Sequence, residues 1–213
     1  MKTDDLILAL AAGAEPVHVR AVRWRYLTGI GAATLVALLL VIYGMGVRPD
    51  FLDGLDLPMF WFKELFCAAL VVAGLLAMVR LARPGTRLAW APALIAAPLL
   101  AMWATGILEL LAAQPEERLP LLLGVSWSEC PFYIVTLALP VFVVAIWLLR
   151  RMEPTRLRLA GAAAGFASGA VGALVYSLHC PELAAAFLGV WYSLGLLIPT
   201  VAGALIGPRL LRW

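Results

Sequence analysis

Two cysteines of this 213-residue chain each precede a proline, in segments that could support thiol chemistry. Cys130 lies in the segment 127–131, Trp-Ser-Glu-Cys-Pro, and Cys180 lies in the segment 179–182, His-Cys-Pro-Glu. Because proline favours the first turn of a helix, both cysteines are predicted at or beside a helix start. The exposed N–H groups of a helix start favour the thiolate, which attacks disulfides and binds soft metals, although the glutamate in each segment opposes this bias.

Three interpretations of these cysteines are open from the residues alone. Cys130 and Cys180 could form a disulfide in an oxidising compartment, if their Cα atoms come within about 7 Å. Together with His179 they could hold a metal ion transiently, although three ligands are fewer than the four of a structural zinc site. They could also be two unreactive residues at helix starts. Cys67, which lies among apolar neighbours, is predicted to be a small packing residue.

The N-terminal segment is predicted to form a short amphipathic helix. Thr3 could cap a short helix whose first turn carries Asp4 and Asp5, at the end of a helix that favours negative charge. The apolar face of this helix would carry Leu6, Ile7, Leu10 and Ala14. Such a short helix is marginal in water, so it should order against a partner that offers an apolar groove and a basic rim. A membrane surface is the alternative, but helices that bind membranes prefer a Lys/Arg-rich polar face.

The elements that position these residues are predicted to be membrane-spanning helices. Hydrophobic residues make up 64% of the chain, above the roughly 45–50% of a soluble domain. Six apolar stretches are each long enough to cross a bilayer as a helix, which takes about 20 residues. They are approximately 26–47, 60–79, 88–111, 132–149, 157–178 and 183–206. The predicted fold is therefore an all-α, integral membrane bundle of six transmembrane helices (26–213), preceded by a tail (1–25).

The basic residues predict the orientation of this bundle. Cytoplasmic loops carry an excess of Lys and Arg, and thirteen of the 16 basic residues fall on one side of the predicted spans. They are Lys2, Arg20, Arg23, Arg25, Arg80, Arg83, Arg87, Arg150, Arg151, Arg156, Arg158, Arg209 and Arg212. Both termini are thus predicted on the cytoplasmic side of the membrane, and both Cys-Pro segments on the opposite, periplasmic side. The net charge of +3 reflects this bias and does not indicate nucleic-acid binding.

The fifth span has a stripe of glycines that predicts close helix packing. Gly161, Gly165 and Gly169 are spaced by four residues, and Gly203 and Gly207 repeat the spacing on the sixth span. Small residues let two helix backbones approach in a membrane. The fifth span is therefore predicted at the centre of the bundle, paired with the sixth. Glycines that face lipid, or that mediate a homo-oligomer, are the alternatives.

The ionisable residues within the spans argue against an ion-coupled carrier. Lys63, Glu64 and Glu109 lie within two turns of an outer end, from which a long side chain can reach water. A small-molecule or metal transporter of the inner membrane is still the main alternative function, because prolines within the spans could break helices as in carriers. A structural assembly factor is a third. No Cys-x-x-Cys pair or second redox pair supports a thiol oxidase, so no enzyme activity is predicted.

Several segments resemble the NrsF-type proteins, which are bacterial inner-membrane anti-sigma factors. The most specific are the opening residues 1–7 and the His-Cys-Pro-Glu segment at 179–182. The others are 46–50, 81–85, 190–192 and the C-terminal 207–213. The resemblance therefore extends from the first residue to the last.

This resemblance implies a six-span protein that sequesters an extracytoplasmic-function sigma factor through its N-terminal segment and releases it under stress. By matching position, Asp4 and Asp5 would belong to the sigma-contacting segment, with the apolar residues that follow them. Cys130 and Cys180 would be paired periplasmic sensor cysteines of oxidative or metal stress. The zinc-binding motif of another anti-sigma class is absent, so the tail would bind as a bare peptide without a resident cofactor.

Overall fold

The computed structural model describes residues 3–5, 19–83, 85–86 and 90–212, and all regular structure within these residues is helical. The long helices are α1 (Val19–Leu40), α3 (Pro58–Leu81), α4 (Ala91–Ala112), α6 (Cys130–Arg150), α7 (Leu157–Tyr176) and α9 (Ser193–Leu210). The short helices are α2 (Phe51–Gly54), α5 (Pro115–Leu123) and α8 (Ala185–Phe187). Two π-helical segments, Val41–Met45 and Leu188–Tyr192, continue α1 and join α8 to α9.

Six helical spans are long and apolar enough to cross a membrane, which confirms the predicted all-α class and the number of spans. They are Trp24–Met45, Pro58–Leu81, Ala91–Ala112, Cys130–Arg150, Leu157–Tyr176 and Ala185–Leu210. Their bounds differ from the predicted ones by a few residues. Large apolar side chains such as Leu100, Leu108 and Leu205 are exposed on the outside of the bundle, as expected where a helix faces lipid. The orientation of the termini stays a prediction.

Helix α7 lies at the centre of the bundle, as the glycine stripe predicted. Of the most apolar 18 residues in its span, 78% are buried. A Cβ atom added at Gly161 would overlap the carbonyl oxygen of Gly203, and one added at Gly165 would overlap that of Pro199. Helices α7 and α9 therefore pack backbone to backbone, which small residues permit. The lipid-facing alternative is wrong, and a homo-oligomer stays a prediction.

Helices α3 and α6 approach α7 on its other faces by the same means. A Cβ atom at Gly74 of α3 would lie 2.8 Å from the Cα atom of Ala167. A Cβ atom at Gly172 of α7 would lie 2.5 Å from the carbonyl oxygen of Ile134 on α6. Glycines thus bring α3, α6 and α9 close to α7. We call these four helices the rigid frame of the bundle.

Helix α1 is peripheral to this frame. Only 22% of the most apolar 18 residues in its span are buried, and it packs mainly against α6. It begins at Val19, inside the predicted tail, so the end of that tail and the first span share one continuous helix. At its other end the π-helical segment closes with a bond of 2.8 Å from the Gly46 N–H to the Val41 carbonyl oxygen, where Gly46 takes a φ of 82° that favours glycine.

The chemistry-bearing residues gather at one end of the bundle, because neighbouring spans run in opposite directions. We call the end that holds Lys63, Cys130 and Cys180 the cysteine end. The opposite end, where α3, α6 and α9 finish with Arg80, Arg150 and Arg209, is the arginine end.

Candidate functional site

Cys130 occupies the start of a helix, as predicted from its neighbour Pro131. It is the first residue of α6, and its N–H donates to the Ser126 carbonyl oxygen at 2.9 Å. Pro131 follows in the first turn, where its missing N–H costs nothing. The side chain of Cys130 is fully buried.

Cys180 does not start a helix, so that prediction was wrong. α7 ends at Tyr176, residues 180–184 have no regular structure, and the next helix begins at Ala185. That start is satisfied from another helix, since the Ala186 N–H donates to the Glu109 carboxylate at 2.9 Å. Pro181 breaks the chain but does not begin the helix.

The irregular path of residues 180–184 leaves main-chain carbonyl groups without helical partners, and Lys63 binds two of them. Its Nζ donates to the carbonyl oxygens of Cys180 at 2.8 Å and Glu182 at 3.1 Å. It also lies 5.8 Å from the centre of the Tyr192 ring. Lys63 is 0% exposed, so the expectation that its side chain reaches water is wrong. A buried charge in a membrane domain needs such partners, and these acceptors supply them.

All three cysteines converge near Lys63, although Cys67 was predicted only to pack. Cys67, Cys130 and Cys180 are free thiols, each 0% exposed. Lys63 binds the Cys180 carbonyl oxygen, and Cys67 follows Lys63 by one turn on α3. Nothing in the sequence around Cys67 indicated this, because the contact depends on how α3 packs against the end of α7.

Aromatic rings surround the thiols at this end. The hydroxyl of Tyr176 lies among the side chains of Ser126, Cys130 and Cys180. The Tyr176 ring is 6.0 Å from the rings of both Tyr192 and His179. Tyr176 and Tyr192 are themselves buried, so these rings share the interior of the bundle with the thiols.

The carboxylate of Glu182 fixes the connection that leads into α6. It accepts a hydrogen bond of 2.7 Å from the Val125 N–H, and the Ser126 hydroxyl lies 3.5 Å from it. Gly124, with a φ of 55°, makes room, because a Cβ atom there would lie 2.5 Å from the Glu182 carboxyl carbon. The two Cys-Pro segments, which are 50 residues apart in the chain, are thereby tied to each other beside their thiols.

The end of α1 joins the same cluster through two hydrogen bonds. The Nδ1 atom of His179 lies 2.8 Å from the Gly46 carbonyl oxygen and acts as the donor, since a carbonyl only accepts. The Arg48 N–H donates to the Leu178 carbonyl oxygen at 3.2 Å. The residues just before Cys180 therefore contact residues 46–48, which follow the first span.

This geometry supports thiol chemistry more than metal binding. Cys130 and Cys180 are free thiols that both lie beside the Tyr176 hydroxyl. In the described parts of the chain, no group of three or more His, Cys, Asp or Glu side chains is placed to hold a metal ion. A transient metal at Cys130, His179 and Cys180 stays a prediction.

The structure describes only part of the predicted sigma-contacting segment. Asp4 and Asp5 are helical and exposed, together with Thr3. Leu6, Ile7 and Leu10 lie outside the described residues, so the amphipathic helix and its partner stay predictions.

Comparison with known proteins identifies relatives along the whole chain. The family described as "NrsF: Negative regulator of sigma F" matches residues 10–213. The "Probable anti-sigma-F factor NrsF" of Azospira oryzae is 46% identical over 213 residues, covering 100% of both chains. The "Anti-sigma-F factor NrsF" of Caulobacter vibrioides is 42% identical over 221 residues, again covering 100% of both. No solved structure matches. With a match over nearly all its residues and two relatives of this identity, the chain belongs to the NrsF family.

Proposed function

We propose that this protein is a membrane anti-sigma factor. It sequesters an extracytoplasmic-function sigma factor through its N-terminal segment and releases it when Cys130 and Cys180 respond to oxidative or metal stress. The observation that supports this most is the full-length similarity to two relatives named as anti-sigma-F factors. These names give no support to the transporter alternative.

Sigma capture is proposed for residues 1–25 on the arginine-rich side of the membrane. A sigma factor presents basic surface to promoter DNA and apolar grooves to RNA polymerase. Asp4 and Asp5, followed by Leu6, Ile7 and Leu10, offer the complementary charge and apolar side chains. Because Asp4 and Asp5 are exposed, they are accessible to such a partner.

Stress sensing is proposed for the pair Cys130 and Cys180. A peroxide can oxidise two thiols in a balanced step. Both S–H bonds break, one S–S bond forms, the two electrons reduce the peroxide O–O bond, and the two protons end on its oxygen atoms as water and an alcohol or as two waters. The structural support for this step is that both free thiols lie beside the same Tyr176 hydroxyl.

The test of sigma capture is to isolate the full-length protein in mild detergent and identify a bound soluble sigma factor. The double substitution Asp4→Ala and Asp5→Ala should weaken capture about tenfold or more, which corresponds to 1.4 kcal/mol. Asp53→Ala with Asp56→Ala is the matched control, because these exposed carboxylates lie at the cysteine end. Undiminished capture by the Asp4/Asp5 variant, or equal loss in the control, would count against the assignment.

The test of sensing is sigma release after treatment with oxidant. Cys130→Ser and Cys180→Ser should each abolish release while leaving resting capture intact. Cys67→Ala, the control, should still release. If either serine variant releases sigma as the unmodified protein does, the sensor assignment is wrong.

A further inference from the structure

We infer that residues 177–182 act as a clasp that carries the state of Cys180 to helix α1, and so to the sigma-binding segment. The inference deepens the proposed function and rests on it. It assigns positioning roles to His179, which joins the clasp to α1, and to Lys63, which joins it to the rigid frame. Neither residue performs the thiol chemistry.

One side of the clasp is bound to the frame. Lys63 of α3 donates to the carbonyl oxygens on both sides of Pro181. The Lys63 ammonium is fully buried, so these bonds do not compete with water, and a charged donor makes them stronger than neutral ones. The Glu182 carboxylate accepts a hydrogen bond from the Val125 N–H, which fixes Glu182 to the connection that leads into α6. These bonds hold the main chain around Cys180 against α3 and against the connection that precedes α6.

The other side of the clasp is bound to residues 46–48, which follow the π-helical segment at the end of α1. His179 and Leu178 bond to Gly46 and Arg48, which follow the π-helical segment directly. The Arg48 side chain is 4% exposed, and its guanidinium carbon lies 5.3 Å from the centre of the Phe60 ring, so the same segment also contacts α3. A shift of the main chain at Cys180 cannot leave these contacts unchanged, since His179 is the preceding residue.

Helix α1 is well placed to respond. It is mostly unburied, its contacts are mainly with α6, and its glycines do not interlock with another backbone. The Cβ of an alanine at Gly29 would meet only the side chains of Val144 and Leu148. Its outer end contains a π-helical segment, Val41–Met45, and such segments are often found at functional sites. Helix α1 and the π-helical segment that continues it run from Val19 to Met45 without a break, so a movement at Gly46 acts on one continuous helix.

Disulfide formation provides the displacement. Cys130 belongs to α6 and is fixed by it, whereas Cys180 lies in an irregular segment held by hydrogen bonds. When an S–S bond forms, Cys180 adjusts toward Cys130, and the bonds from His179 and Leu178 to α1 weaken or exchange. A change in α1 then alters how the tail is presented to the sigma factor, as a shift between two states of the bundle.

The test uses full-length protein in lipid nanodiscs, with and without hydrogen peroxide, and three readouts. They are the Cys130–Cys180 redox state by thiol alkylation and mass spectrometry, hydrogen exchange of the segment 41–48, and affinity for the sigma factor. His179→Phe removes the bond to Gly46 but keeps a ring beside Tyr133 and Tyr176. Trp191→Phe is the matched control, because it removes a single bond at the same end, from the indole N–H to Leu122, that is not part of the clasp.

In the unmodified protein and in Trp191→Phe, oxidation should form the disulfide, speed exchange in 41–48 and weaken sigma binding. In His179→Phe the disulfide should form equally, but exchange in 41–48 should be fast before oxidation, and the oxidant-induced change in sigma affinity should fall by roughly three- to tenfold, the effect of one hydrogen bond. The Lys63→Met protein should likewise form the disulfide but lose the oxidant-induced change in sigma affinity. It is the second variant in case His179→Phe folds poorly.

Two results overturn the clasp: exchange in 41–48 that does not respond to oxidation, or full sigma release by an oxidised His179→Phe protein. Loss of disulfide formation in His179→Phe also overturns it, because the residue would then act on the thiols themselves. If the unmodified protein forms the disulfide and exchanges faster in 41–48 but never releases a sigma factor, the proposed function fails while the clasp stands.

Discussion

Helices α7 and α1 are similar in length, 20 and 22 residues, and both belong to apolar spans, but they are packed in opposite ways. In α7 each glycine of the stripe faces the backbone or the proline ring of a neighbouring helix, so there is no free space into which it can move. In α1 the glycines face side chains or nothing. Apolar composition therefore says little about rigidity in a membrane domain, where close backbone contact decides which helix is fixed.

The strongest challenge to this comparison is Gly165→Ala in α7. The added methyl group would overlap the carbonyl oxygen of Pro199, so α7 and α9 must separate, and we expect destabilisation by about 3 kcal/mol. Gly31→Ala in α1 is the control, since no atom lies within 4 Å of the added Cβ, and its effect should stay within about 0.5 kcal/mol. Reversible unfolding in mixed detergent micelles measures both. If both variants lost a similar free energy of unfolding, α7 would be no more tightly packed than α1.

A smaller effect is expected from Gly74→Ala, at the contact of α3 with α7. The new Cβ would lie 2.8 Å from the Cα atom of Ala167 and 3.0 Å from a Phe166 ring atom, of which only the ring can turn away easily. We expect a loss of about 1–2 kcal/mol. Gly44→Ala, in the π-helical segment of the first span, meets no atom within 4 Å and serves as the control. Thermal melting in detergent would show the difference, and a Gly74 variant as stable as the control would mean that α3 is not fixed to α7 by this contact.

The smallest effect is expected from Gly29→Ala, where α1 meets α6. Its Cβ would lie 3.2 Å from Val144 Cγ1 and 3.5 Å from Leu148 Cδ1, and both side chains can adjust. We expect a change below about 1 kcal/mol in unfolding. Hydrogen exchange along residues 24–40 should report a local response confined to α1. A destabilisation as large as that of Gly165→Ala would show that α1 is as tightly fixed as α7.

The fold was predictable from the sequence because each span obeys a local rule. About 20 apolar residues must run together to cross a bilayer, and the four-residue glycine spacing marks the faces along which helices touch. Both rules involve residues close in sequence. They located the six spans and the pairing of α7 with α9.

The site was predictable only in part, because its contacts join distant residues. Cys130 and Cys180 stood out through their prolines, but the two acceptors of Lys63 lie 117 and 119 residues further along the chain. A lysine near the end of a span is usually close to water, so nothing in the neighbouring sequence indicates that Lys63 is buried. The same holds for Glu109 of α4. Its carboxylate accepts a hydrogen bond from the Ala186 N–H in the first turn of α8, the helix that begins after Cys180.

The distance in sequence between Lys63 and its acceptors has a consequence for how the chain is made. The lysine leaves the ribosome long before residues 180 and 182, so during synthesis its ammonium has neither acceptor and must stay at the water boundary. Only when the part of the chain from residue 180 onward is in place can α3 settle to its final depth. In chains truncated before residue 180, the Lys63 ammonium therefore stays without these acceptors at the edge of the bilayer, which distinguishes incomplete chains from complete ones.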